Sequence, residues 1–174
     1  MSTIILNQTG EQHPLPHNDL TVILDWVEPV ELDLMAFYQS CDGKTGVVYY
    51  ADQGKLDKFP HIALNDEQGM TQMLGERQME LRIANVSAHQ HIFLMGYTYN
   101  QSVSNFSRFG ATLSLYSDRG PTWTLELNAT QIGQWYIIAQ IDNQNFEVPQ
   151  LINLNRVQTE QPDIRTLNMG SSTV

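Results

Sequence analysis

Apolar and polar residues alternate along most of the chain. Leu20, Val22, Leu24 and Trp26 are apolar, with Thr21, Ile23 and Asp25 between them. Successive side chains of a strand point to opposite faces, so this pattern predicts a strand with one face on a core. Met79, Leu81 and Ile83 repeat it against Glu80 and Arg82. Phe109, Ala111, Leu113 and Leu115 do so against Arg108, Gly110, Thr112 and Ser114. Trp123, Leu125 and Leu127 alternate with Thr124 and Glu126, and Trp135, Ile137, Ala139 and Ile141 continue the series. Two runs, 32–40 beyond Asp33 and 91–99, are apolar on both faces and predict central strands. Shorter strands are predicted at Ser2 to Asn7, Val47 to Tyr50 and His61 to Leu64. Pro29, Asp42-Gly43 and Asp118-Arg119-Gly120-Pro121 break the pattern as turns do. Short strands about ten residues apart, with no long helical period, predict an all-β antiparallel sandwich with long loops at one end.

The sandwich is expected to occupy residues 1–157 as one domain. Phe146 to Val157 fits either a closing strand or a short helix. Residues 158–174 are polar, carry Pro162 and end in Gly-Ser-Ser-Thr-Val, which predicts a mobile C-terminal tail. Residues 53–78 hold Gly54, Pro60, Gly69 and Gly75 and are expected to form long loops. Long loops in compact domains are usually functional or mobile, so partner proteins are expected to engage this region.

Composition narrows the function. Of the 174 residues, 41% are hydrophobic, enough for a real core, and 16% are charged, against about 25% in ordinary domains. The net charge of −10 repels phosphate backbones and argues against nucleic acid and anionic lipid as partners. No apolar run approaches the roughly 20 residues that span a bilayer, and the N-terminus does not read as a signal peptide. Cys41 is the only cysteine, so no disulfide forms within the chain, which suits a cytoplasmic location.

The polar residues offer few constellations with chemistry. Glu31 and Asp33 lie two apart at a predicted strand start and would share a face. That suits a hard cation, which takes carboxylate and carbonyl oxygens; hydrated carboxylates at a strand end are the plainer alternative. His89 and His91 have the same spacing and would face one way if the stretch is extended, but without a visible third ligand they read as structural. Asp25, Asp33, Asp52 and Asp66 sit near strand ends, and paired carboxylates can hydrolyse glycosides. That chemistry needs a cleft with aromatic walls. Trp26, Tyr49, Tyr50, Trp123 and Trp135 are available, but as members of alternating strands they read as core. There is no G-x-S-x-G, P-loop or G-x-G-x-x-G.

In order and spacing the chain resembles the TerD-like family of bacterial tellurium-resistance and stress proteins. Ile4-Ile5-Leu6, Gly10 and Leu20 to Trp26 look like the family's first two strands. Glu31-Leu32-Asp33-Leu34-Met35-Ala36-Phe37 is similar to its DxDxxAF signature, with Glu in place of the first Asp. Asp42-Gly43-Lys44, Val47 to Tyr50, Asn65-Asp66-Glu67 and Phe106 to Leu115 follow in the family's order. The resemblance covers about residues 1 to 150.

It implies a calcium-binding β-sandwich, with two neighbouring Ca²⁺ ions held by acidic loops at one end, and a role in protection against tellurite and other stresses without an enzymatic reaction. Where the family carries an acidic glycine-rich loop, this chain has Gln72-Met73-Leu74-Gly75-Glu76-Arg77. Ala51-Asp52 replaces the family's Asn-Asn, and its helix before the last strands shrinks to about 129–133. Glu31, Asp33, Asp52, Asp66, Glu67 and Glu76 would then supply one weak calcium site rather than two tight ones. The expectation is a non-enzymatic cytoplasmic binding or scaffold module, partnered by other proteins of a stress-resistance system. The alternatives are a calcium-dependent carbohydrate-binding sandwich and a hydrolase using paired carboxylates.

Overall fold

In a computed structural model, which describes residues 2–64, 77–99 and 105–167, thirteen strands form two sheets. The first sheet has the order β1 (Thr3–Ile5), β11 (Thr122–Glu126), β10 (Thr112–Tyr116), β3 (Leu20–Asp25), β8 (Gln78–Ile83), β7 (Ile62–Leu64) and β6 (Gly54–Lys55). The second has the order β2 (Gln12–Pro14), β13 (Gln150–Gln158), β12 (Trp135–Asp142), β9 (His89–Thr98), β4 (Leu32–Ser40) and β5 (Thr45–Val48). All pairings are antiparallel except β1 on β11, which is parallel. The all-β sandwich expected from the alternation is the architecture found.

The two sheets meet through alternate residues. Val22 and Leu24 of β3, Leu81 and Ile83 of β8 and Leu113 and Leu115 of β10 are buried on one side. Leu32, Leu34 and Ala36 of β4, Ile92 and Leu94 of β9 and Tyr136 of β12 face them. Asn153 of β13 is also buried, and its side-chain amide donates to the Leu6 carbonyl at 3.1 Å. That bond ties the end of the first sheet's edge to the second sheet.

The second sheet differs from the first on its outer side. Met35, Phe37, Phe93, Met95 and Ile137 form a second apolar cluster there. A single helical turn at 164–167 lies on it, with Leu167 buried and Ile164 packed alongside. This is why β4 and β9 read as apolar on both faces. The described residues of the C-terminal segment, through 167, are therefore laid on the sheet by these two side chains.

Several local expectations differ from the structure. Gln12–Pro14 forms an edge strand on β13 although its three residues carry no alternation worth reading. The strand expected from Arg108 starts only at Thr112, because 106–108 is a 3₁₀ turn. Gly110 follows with φ +65°, packed on Val27, a conformation that glycine adopts without a Cβ penalty. The helix expected at about 129–133 does not form. Gly133 runs so close to β13 that an added Cβ would lie 2.5 Å from the Gln158 carbonyl. Phe146 to Val157 resolves into a loop and β13 rather than a helix.

Candidate functional site

The site lies on the outer face of the second sheet. Strand register builds it in rows. Asp33 of β4 sits opposite Tyr97 of β9, which sits opposite Trp135 of β12. One step along, Met35 pairs with Met95 and Met95 with Ile137. The next step brings Phe37, Phe93 and Val47 together. Period-two alternation places Asp33, Met35 and Phe37 on this one face. Tyr49 and Tyr50 enter from the turn after β5, and Tyr99 follows the end of β9.

Part of this face borders an open cavity of about 330 Å³, with Asp33 outside its lining. Its walls are Tyr49, Tyr50, Tyr97, Tyr99 and Trp135; Met35, Phe37 and Val47 form its apolar floor and Gln161 its rim. The rings brace one another. Tyr97 stands 4.6 Å from Trp135 and 4.9 Å from Tyr99 between ring centroids, and Tyr49 and Tyr50 meet at 5.4 Å. Beside this wall the Tyr99 hydroxyl donates to Asp33 Oδ2 at 2.5 Å. Asp33 is only 9% exposed. Burial pushes its carboxyl above the ordinary carboxylate value; the Tyr99 bond opposes the rise and the Glu31 charge adds to it. Burial, then the bond to Asp33, pushes the Tyr99 hydroxyl strongly up, so it stays a donor at neutral pH.

The six acids expected to hold calcium are not all brought together by the described residues. Glu31 is exposed just before β4, close enough for its charge to act on Asp33 and Tyr99. Asp52 is exposed in the turn after β5, where its backbone pairs with Tyr49 and its carboxylate accepts from the Gly54 amide at 3.4 Å. Asp66, Glu67 and Glu76 lie outside the described residues. Among the described residues no three of His, Cys, Asp or Glu cluster as metal ligands. Calcium takes six to eight oxygens, and Asp33 already gives one to Tyr99. The described acids do not by themselves fit a calcium ion.

The histidine pair does not share a face. A register shift sets Ser40 opposite His89 but Gln39 opposite His91, and the two rings turn apart. His89 is buried against Tyr38 and Phe59 and donates from Nε2 to the Pro60 carbonyl at 2.6 Å. His91 lies beside Phe93, with Nδ1 accepting from Gln140 at 3.0 Å and Nε2 donating to Gln144 at 2.7 Å. No metal can bridge them.

Of the five aromatic residues read as core, Trp26 and Trp123 are buried in it. Tyr49, Tyr50 and Trp135 line the cavity instead. Tyr97 and Tyr99 were not singled out in the sequence. The available signal was Tyr97-Thr98-Tyr99, two rings at strand spacing in register with Asp33.

No protein-family model and no curated protein matches the sequence. Solved structures do resemble the fold. One is a homologue of the telluride resistance protein TerD, SCO6318 from Streptomyces coelicolor A3(2). It aligns with a TM-score of 0.54 and 14% identity over 88% of this chain and 97% of that one. Another is SAV2460, a protein of unknown function, with a TM-score of 0.53 and 10% identity over 83% of this chain and 94% of that one. Among the described residues no helix is long and apolar enough to cross a membrane. At these identities the likeness speaks for architecture: the chain has the TerD-like β-sandwich fold.

Proposed function

We propose that the chain is a cytoplasmic, non-enzymatic binding module of a stress or tellurium-resistance system, and that it works through the aromatic cavity on the second sheet. The observation that carries this reading is the cavity itself, six aromatic rings set beside a buried carboxylate. Concave sites with mostly apolar walls and a few placed polar groups are the usual form of a ligand pocket. The likeness to a telluride resistance homologue supports the cellular setting. Other proteins of that system would read the ligand state. A calcium ion would need Asp66, Glu67 or Glu76 in addition to Glu31, Asp33 and Asp52.

The test is growth under tellurite and oxidative stress in a host deleted for its own copy of the gene. The wild-type chain restores growth, and Trp135→Ala, checked for an unchanged fold by circular dichroism, does not. No protection by the wild type, or equal protection by the variant, refutes the reading.

A further inference from the structure

We propose that the cavity takes a methylated ammonium head group. The inference rests on the reading of this cavity as the ligand site and names its ligand class. Ring geometry argues first. Tyr97 and Trp135 are inclined at 54°, Tyr97 and Tyr99 at 89°, and Tyr49 and Tyr50 at 81°. A flat ligand such as a sugar ring needs a flat platform. Rings set at steep angles present faces and edges in several directions and suit a compact, rounded group. An aromatic face carries negative potential, and cations seat over it within about 6 Å of the centroid.

Charge argues next. Among the described residues no lysine or arginine lines the cavity. The Asp33 carboxylate stands behind Tyr99, Glu31 acts on both, and the whole chain carries −10. A hydroxyl donating to a carboxylate leaves its ring richer in electrons, so Tyr99 is the better cation wall for its bond to Asp33. A field of one sign also raises the encounter rate of an oppositely charged ligand.

Solvation separates the possible cations. A metal ion requires a shell of oxygens that the rings do not offer. A bare ammonium has N–H donors to satisfy, and burying them without acceptors is costly. A trimethylammonium group has no N–H and covers its charge with methyls. Those methyls pack on Met35, Phe37 and Val47, the apolar floor. At about 330 Å³ the cavity is near the small end of ligand pockets, roughly 300–1,000 Å³, which suits a head group.

The test is titration calorimetry on the full chain with choline, a trimethyl-lysine peptide, the neutral tert-butyl analogue of choline and a neutral disaccharide. Choline or the peptide binds saturably, about tenfold or more tighter than the neutral analogue. Whichever cation binds more tightly identifies a free solute or a modified protein as the source, and either supports the inference. Trp135→Ala and Tyr50→Ala each weaken binding about tenfold. Tyr50 is 59% exposed, so its replacement leaves the fold intact even if Trp135→Ala does not fold. Equal binding of the neutral analogue, or preferential binding of the disaccharide, overturns the cation class and leaves the cavity as the ligand site. No binding of any probe to the wild type overturns the inference. The growth assay then decides separately whether the cavity is used at all.

Discussion

Asn153→Ala tests how the two sheets are joined. Asn153 is 4% exposed, and its amide Nδ2 donates to the Leu6 carbonyl at 3.1 Å. Leu6 follows β1, which is held to the first sheet by the short parallel register Thr3 to Ile5 on Thr122 to Thr124. Alanine removes the donor and leaves the Leu6 carbonyl without this partner. Leaving a buried acceptor unsatisfied costs about 1–3 kcal/mol, and a loss of that size is expected. For a domain of this size each kcal/mol lowers the melting temperature by about 2–4 °C, so the drop is roughly 2–12 °C. The backbone of Asn153 keeps its bonds to Gly10 and Glu11, at 2.7 and 2.9 Å, so the effect isolates the side chain. Asn153→Asp keeps the shape but sets a carboxylate against a carbonyl, and it should lose more than alanine. Urea and thermal unfolding at neutral pH measure both variants. A loss under about 0.5 kcal/mol for alanine, or an aspartate variant as stable as the wild type, refutes the account of this joint.

Two more perturbations follow from buried groups. Burial lowers the His89 pKa, the Pro60 bond opposes that shift and the His61 charge adds to it. The unfolded chain then binds a proton that the folded chain does not, so stability falls as pH drops below about 6.5 and levels off below the folded pKa. Urea unfolding between about pH 5 and 8 should show this slope in the wild type and a shallower one in His89→Phe; equal slopes refute it. Leu167→Asp should release the helical turn at 164–167 from the outer cluster, giving up at most the roughly 1.5–3 kcal/mol of a buried leucine. Hydrogen exchange would rise in that turn and over Met95 and Ile137, and unchanged protection would refute the docking.

The fold was legible because one face of most strands must be dry. Leu20 to Trp26, Met79 to Ile83 and Trp123 to Leu127 alternate in sequence, and the first sheet indeed buries alternate residues. The second sheet was harder to read. Residues apolar on both faces fix a central strand but do not say what covers the outer side, and here the cover includes Leu167, far along the chain. The site was half legible. Asp33 stood out by its place at the head of an apolar strand. Its partners did not, because Tyr97 and Trp135 reach it only through register across β9 and β12. The shared face expected of the histidines failed for a related reason. Spacing of two implies a shared face only in a regular strand, and a register shift falls between them.

The position of Asp33 is the argument for function. The inner faces of a sandwich are committed to the core, so a recognition site has to use an outer face or a loop. On this outer face Met35 and Phe37 continue an apolar row that an aliphatic residue at 33 would extend at no cost in desolvation. A carboxyl there is held above its ordinary pKa by burial, which means the folded chain disfavours its charge. Sign fixes the linkage: this penalty is absent below the unfolded pKa and is fully present above the folded one. The Tyr99 hydroxyl, a neutral donor, offsets part of it, and among the described residues no cation acts on Asp33. A cation arriving over the Tyr99 ring would supply the missing charge. The same residue that weakens the empty protein would then hold the occupied one together, and ligand binding and stability become two readings of one interaction.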